Sequence, residues 1–470
     1  MKFGTSGLRG LVSDMTDEVC ARYVAAFVEH LRAAGQAPEA VLIGRDLRPS
    51  SPRIAKACAA AVAARGVAAI DCGALPTPAL ALASAGRGLP AIMVTGSHIP
   101  FDRNGLKFYR ADGEITKADE EGMIARLDTG SPAATPGEIT SDDGAAERLY
   151  LRRGIGFFPA GTLAGKRIGV YQHSAVGRDI VLESLRALGA DVIPLGRTET
   201  FVPIDTEAVR PEDEAAARDW CAEHGLDAVV STDGDGDRPL IGDETGAFLR
   251  GDVVGVLAAR YLGADAVATP VSSNSVLERS GWFPRIRRTR IGSPYVIEAM
   301  QALAEEGADL VAGYEANGGF LLGGAVTGAT GATLAPLVTR DAMLPILAIL
   351  AMAADLGRPL SALAADLPPR FTASDRLTEF APERSQALLA ALCADDAARA
   401  GLLSVLGASV TGIDLTDGPR MSLEGDEIAH LRASGNAPEL RCYAEAATPE
   451  RARAMVAALL ARAAEMAPAA

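Results

Sequence analysis

Aromatic residues make up only 5% of this 470-residue chain, and cysteine occurs at just six positions. Those cysteines (Cys20, Cys58, Cys72, Cys221, Cys393 and Cys442) are scattered, with no CxxC pair and no zinc-like spacing. That argues against a disulfide framework or a structural zinc site and for reduced, buried thiols. Positive charge is also short: 45 Lys and Arg stand against 60 Asp and Glu, a net charge of -15. Nonspecific nucleic-acid binding is therefore not expected. No long apolar run is present. Residues 342–356 come nearest, but Pro345 interrupts them and Asp355 and Gly357 close them, so they read as a core helix rather than a membrane span. Met1-Lys2-Phe3-Gly4 leads straight into a glycine-rich loop without an apolar leader, so a cytoplasmic protein with no membrane partner is expected, as a monomer or homodimer.

What remains is a globular composition, 49% hydrophobic and 22% charged, in a chain too long for one core. Strand-like and helix-like segments alternate from the start. Residues 17–34 and 50–65 read as helices ending near Gly35 and Gly66, and 40–43, 67–71 and 91–95 as strands. A polar stretch over 128–144 suggests a boundary. A second unit runs through a strand at 166–171, a helix at 177–188 and strands at 191–194 and 226–232. A third holds a strand at 266–271, a helix at 295–305 and a strand at 309–313. After residue 368 the pattern changes to short strands at 410–414, 421–423, 427–431 and 440–446, then an Ala-rich helix. The expected domains are 1–144, 145–248, 249–367 and 368–470. The expected class is α/β, with three related α/β domains on mixed sheets and a C-terminal α+β domain.

The most informative segment is Asp233-Gly234-Asp235-Gly236-Asp237-Arg238. In an extended segment side chains at i, i+2 and i+4 leave on one face, and the two glycines let the backbone bend. Three converging carboxylates repel strongly unless a cation lies between them. Hard oxygen ligands suit Mg2+ or Ca2+ rather than zinc. A solvated acidic turn is the other reading, but the preceding apolar run places the loop past a strand's C-terminal end, where open α/β sheets bind ligands. An EF-hand needs glycine at its sixth position, and counting from Asp233 that position is Arg238.

Four further loops combine residues suited to phosphate or sugar, although each alone reads as well as a turn. Thr95-Gly96-Ser97-His98 exposes a serine at a strand end, where a nucleophile would sit. The following Asp102-Arg103-Asn104-Gly105-Leu106-Lys107 adds a turn and a lysine able to return to it. His98 and Lys107 are candidate proton carriers. Phe3-Gly4-Thr5-Ser6-Gly7-Leu8-Arg9-Gly10 can cradle an anion, with Arg9 as a bidentate donor. Gly313-Tyr314-Glu315-Ala316-Asn317-Gly318-Gly319 offers Glu315 and Asn317 to sugar hydroxyls. Arg432, Ser434, Gly435 and Asn436, with Arg441 nearby, make a phosphate cup.

These five loops, in this order and over essentially the whole chain, resemble the α-D-phosphohexomutase family of phosphomannomutases, phosphoglucomutases and phosphoglucosamine mutases. The resemblance implies four domains around a deep cleft, the fourth a smaller phosphate-binding domain. It implies that Ser97 carries a phosphoryl group and that Ser97, Asp233, Asp235 and Asp237 hold Mg2+. Arg9 and Arg238 would lie near the phosphoserine, with His98 and Lys107 as acid/base and positioning groups. Glu315 and Asn317 would meet the sugar, while Arg432, Ser434, Gly435, Asn436 and Arg441 would hold its non-reacting phosphate. The implied partner is a phosphorylated hexose, with a hexose 1,6-bisphosphate as intermediate and activator.

The chain departs from the family pattern in three places. TGSHNP reads here with Ile99, and Arg103 stands where an aromatic is frequent. The sugar loop, usually GExSGH, carries Gly319 and no histidine. The phosphate loop, usually SGTEP, has Asn436-Ala437. The last two changes point toward mannose 1- and 6-phosphates, with glucose phosphates also possible substrates. The alternatives are a phosphoglucosamine mutase, a metal-dependent sugar phosphatase with an Asp nucleophile, or a Ca2+-dependent binding module.

Overall fold

The computed structural model describes residues 2–4, 7–434 and 438–467, without the side chain of residue 2. Three mixed sheets and one antiparallel sheet carry the fold, with one two-stranded ribbon. Strand Ala40–Arg45 (AVLIGR) is a continuous apolar run and almost wholly buried, as a parallel strand covered on both faces must be. Helix Asp17–Ala33 begins where the Thr16 hydroxyl accepts from the Val19 N–H and carries Asp17 and Glu18 in its first turn, both favourable at a helix N-terminus.

The three mixed sheets share one four-strand topology. In the first the neighbours run Arg103–Arg110, Ala91–Val94, Ala40–Arg45, Ala68–Ala74. In the second they run Pro239–Gly242, Ala228–Thr232, Arg167–Tyr171, Asp191–Leu195. In the third they run Phe320–Leu322, Val311–Tyr314, Ala266–Pro270, Arg285–Thr289. Each time the first pair is antiparallel and the other two are parallel. The turn between the antiparallel partners therefore falls at the C-terminal end of a parallel strand, the ligand end of an α/β sheet. Ser97, the Asp loop and Glu315 occupy that turn in the first, second and third sheets respectively.

One local expectation changes. Residues 103–107 are not a turn but the start of strand Arg103–Arg110, paired with both Ala91–Val94 and Leu8–Leu11. Gly105 reads as a breaker yet serves the strand: a Cβ there would lie 2.6 Å from the Leu8 carbonyl oxygen and 2.9 Å from that of Thr95.

The fourth sheet is antiparallel, in the order Phe371–Leu377, Leu440–Ala446, Ile428–Ala433, Arg420–Leu423, Val410–Asp414. Its edge strand Phe371–Leu377 (FTASDRL) is polar and partly exposed, so it lacks an apolar alternation. Polar residues of this kind protect an edge from pairing with other chains. One apolar cluster runs continuously through the first three sheets, from Leu42 and Met93 through Val170 and Val230 to Ala312 and Leu347. The fourth sheet packs its own core, from Phe380 to Ala467, under helix Pro449–Met466. No helix among the described residues is long and apolar enough to cross a membrane.

Candidate active site

Asp233, Asp235 and Asp237 are buried, and each can offer an oxygen within 4.8 Å of the others'. The loop folds as it does because its glycines lie against other loops. Gly236 has φ 71°, and a Cβ there would lie 3.0 Å from that of Pro76. A Cβ on Gly234 would meet the Ser97 carbonyl oxygen at 2.9 Å. Asp233 Oδ1 accepts from the backbone N–H groups of Asp237 and Arg238 at 3.1 and 3.2 Å, which ties the loop's exit to its entry.

Ser97 arrives from the first sheet. Its backbone is left-handed, φ 52°, a region a non-glycine residue occupies at a cost. The Thr95 hydroxyl accepts from the Ser97 N–H at 2.8 Å and donates to Asp46 Oδ2 at 2.8 Å. Fully buried Arg48 holds the loop from inside, donating to the carbonyls of Ser97, Ile99, Pro100 and Arg103 at 2.6–3.0 Å. The Ser97 hydroxyl consequently donates to Asp233 Oδ2 at 2.6 Å.

Cations surround this centre. Lys107 Nζ lies 2.7 Å from both Asp235 Oδ2 and Asp237 Oδ2. Burial disfavours its charge, but the two carboxylates outweigh that and raise its pKa, so it stays protonated. Arg238 donates to His98 Nδ1 at 2.9 Å, which makes Nδ1 the unprotonated ring nitrogen. Burial, then Arg238 and Arg9, push the His98 pKa well down, and the ring is neutral at pH 7. Arg9 lies in the same field, its own pKa lowered to about 10 by burial, Arg238 and Arg340. Burial and the other two carboxylates raise the pKa of Asp233 well above the ordinary range.

The 313–319 loop reaches the same centre through a residue that no motif flagged. Arg340 bridges Glu315 Oε2 at 3.1 Å and Asp237 Oδ2 at 2.9 Å. Asn317 Oδ1 accepts from the Gly319 N–H at 3.0 Å, so its carbonyl shapes its own turn. Arg432, Ser434 and Arg441 sit apart, on or beside the fourth sheet. Arg432 pairs with Asp417 at 3.4 Å, and the Ser434 N–H donates to the Glu439 carbonyl at 2.9 Å. Arg441 lines a cavity of about 160 Å3 with Asp205, Glu207 and Arg376. Gly435 and Asn436 lie outside the described residues. Sequence reasoning also passed over Thr77, whose hydroxyl donates to Asp235 Oδ2 at 2.6 Å, and Arg48. For Arg340 the available signal was a charged pair, Arg340-Asp341, opening the apolar stretch 342–356; Arg48, in the polar segment 45–53, offered none.

The donor set suits a hard divalent cation. Asp235 Oδ1 and Asp237 Oδ1 are buried without a hydrogen-bond partner, and such oxygens ordinarily require one. Oxygen donors of this kind match Mg2+ or Ca2+ rather than zinc.

The domain I and domain III profiles of phosphoglucomutase/phosphomannomutase, both described as alpha/beta/alpha, match residues 1–133 and 250–371. A curated phosphomannomutase of Sinorhizobium fredii is 46% identical over 463 residues, covering 97% of each chain. One of Salmonella muenchen is 47% identical, covering 96% of this chain and 93% of its own. The chain belongs to the phosphoglucomutase/phosphomannomutase family. A phosphoglucosamine mutase of Paracoccus denitrificans is more distant, 33% identical over 78% of this chain and 82% of its own. The crystal structure of a phosphoglucomutase/phosphomannomutase family protein from Burkholderia thailandensis shares the fold, with TM-score 0.77 at 22% identity, over 99% of this chain and 98% of that one. An Aspergillus fumigatus N-acetylphosphoglucosamine mutase, solved with GlcNAc-6P and magnesium, superposes at TM-score 0.55 and 17% identity, over 90% of this chain and 82% of its own. Membership in this family makes the chain a mutase-type enzyme with the expected multi-domain α/β fold.

Proposed function

We propose that this protein interconverts mannose 6-phosphate and mannose 1-phosphate through a phosphorylated Ser97, with glucose phosphates as secondary substrates. The observation that carries this is the Ser97 hydroxyl, held 2.6 Å from Asp233 at the head of the buried triad. The two phosphomannomutases above are the relatives that support mannose.

Phosphorylated Ser97 gives up its phosphoryl group to the free hydroxyl of a bound hexose phosphate. The Ser97 P–O bond breaks, a P–O bond to the sugar forms, and on balance the sugar hydroxyl's proton ends on the seryl oxygen. The resulting 1,6-bisphosphate reorients, and its other phosphate returns to Ser97. Asp233, Asp235, Asp237 and an oxygen of phosphorylated Ser97 would hold Mg2+, which when bound offsets charge on the transferring group. Lys107, kept protonated, serves as positioning cation and proton donor. Neutral His98 orients against Arg238 beside the seryl oxygen, and Arg9 adds positive charge. Glu315 and Asn317 meet the sugar hydroxyls, and Arg432, Ser434, Gly435, Asn436 and Arg441 grip the distal phosphate. Free hexose 1,6-bisphosphate acts as activator because it restores phosphoserine after the intermediate escapes. The domains assigned to these tasks are 1–144, 145–248, 249–367 and 368–470.

The test is mutase turnover with Mg2+ and a catalytic amount of hexose 1,6-bisphosphate on mannose 1-phosphate, glucose 1-phosphate and glucosamine 1-phosphate in parallel. Fastest turnover of mannose 1-phosphate is expected. Fastest turnover of glucosamine 1-phosphate would move the assignment to that substrate. Release of inorganic phosphate without isomerisation would replace the mutase reading with a phosphatase.

A further inference from the structure

Among the described residues, Arg340 alone contacts both the sugar loop and the metal loop by ion pairs, at 3.1 Å to Glu315 and 2.9 Å to Asp237. It lies on strand Leu337–Asp341 with its side chain 6% exposed. Its flanking residues, on the opposite face of the strand, are anchored elsewhere. The Thr339 hydroxyl donates to Glu114 Oε1 at 2.8 Å, and Asp341 accepts from the Tyr150 hydroxyl at 2.5 Å and from Arg153 at 3.0 Å. The strand is thus pinned from behind while Arg340 projects into the site. Its stem runs over Gly319, where the family pattern has histidine. A Cβ at Gly319 would lie 2.6, 2.7 and 3.1 Å from Arg340 Cδ, Cγ and Cβ. Gly319 is not in the left-handed region, so Arg340 is what keeps a side chain out.

We propose that Arg340 is a positioning residue that couples the two loops, aiming Glu315 at the sugar and tempering the charge that Asp237 offers a metal ion. The sugar half of this rests on the mutase reading; the metal half does not. Arginine suits the task because its planar fork sends separate nitrogens to separate carboxylates, whereas a lysine is a single point charge. Its charge also does not depend on pH in the working range.

The coupling predicts opposite effects at its two ends. In Arg340→Met, the KM for mannose 1-phosphate should rise by about 10-fold or more, since Glu315 loses its charged partner. Mn2+ binding, titrated by EPR of the free ion, should tighten at least about 3-fold, since a competing cation leaves Asp237. Arg340→Lys should return Mn2+ affinity toward wild type but leave KM raised. Weaker Mn2+ binding in Arg340→Met, or unchanged values at both ends, would overturn the proposal. A fold defect would weaken Mn2+ binding, so tightening separates coupling from a structural role. Wild-type protein inactive on all hexose phosphates would defeat the mutase reading, and the Mn2+ titrations would still decide the effect of Arg340 on Asp237.

Discussion

The first three sheets and the fourth are joined to the molecule by different physics. Sheets one to three share one apolar cluster, so the loops at their strand ends are fixed relative to one another by close packing. The fourth has its own core and meets the third unit through polar pairs. Ser275 and Glu445 are bonded at 2.9 Å through the Ser275 N–H and again through its hydroxyl. Asn274 donates to the Arg370 carbonyl at 3.0 Å, Arg279 pairs with Asp426, and the Ile291 N–H donates to Asp417 at 3.0 Å. Hydrophobic packing is unforgiving of displacement. Exchanging polar contacts for water costs far less net free energy. The proposed reacting atoms thus lie on the closely packed body, and the proposed phosphate cup lies on the unit joined to it by polar contacts. That division suits an intermediate that must turn over between two half-reactions.

The sharpest way to separate the two regions is to remove the nucleophile. Ser97→Ala should keep the fold and lose at least about 10³-fold in kcat, because the covalent route disappears. Near-normal turnover would end the phosphoserine mechanism. Gly234→Ala tests the rigidity of the first region without touching a reacting atom. Its Cβ would press on the Ser97 carbonyl oxygen at 2.9 Å, and displacing Ser97 by a fraction of an ångström to 1 Å should cost up to about 10²-fold in kcat. Wild-type kcat in that variant would show the packed region to be softer than argued. On the other side, Arg432→Met should raise KM by about 10- to 100-fold, the worth of a charged hydrogen bond, with a smaller effect on kcat. A fall in kcat as deep as that of Gly234→Ala would mean that the cup takes part in the chemistry and erase the distinction.

The same contrast governs what could be read from sequence. The rigid region was legible because its strands are apolar runs and its loops carry residues with few other reasons to cluster, such as three alternating aspartates. The strand at Arg103–Arg110 was hidden, since Asn104 and Gly105 look like turn residues until the crowding by Leu8 and Thr95 is known. Arg340 and Arg48 were hidden for a different reason. Each is a single arginine whose role comes from partners far along the chain: Asp237 and Glu315 for one, and the carbonyls of the Ser97 loop for the other. No spacing rule exposes such a residue. The edge strand Phe371–Leu377 escaped because a protected edge is polar by design.

The smallest expected effect concerns acid. His430 lies buried in the fourth sheet, its Nε2 donating to the Asp417 carbonyl at 2.7 Å and its ring stacked on Tyr443. Burial lowers its pKa to about 4, more than the bond to Asp417 raises it. The unfolded chain therefore binds a proton at His430 between about pH 6.5 and pH 4 that the folded chain does not, so stability is full above pH 6.5 and is lost as pH falls toward 4. At pH 5 the loss is roughly 2 kcal/mol. His173, in the second unit, has its pKa lowered to about 4 by burial as well, but it sits within the packed body and the same penalty falls on a larger cooperative unit. The small fourth core should loosen first. Hydrogen exchange at pH 7 and pH 5 should show protection falling earlier in strands Ile428–Ala433 and Leu440–Ala446 than in Ala228–Thr232. Equal loss in both regions would mean that the polar contacts bind the fourth sheet as firmly as the apolar cluster binds the other three.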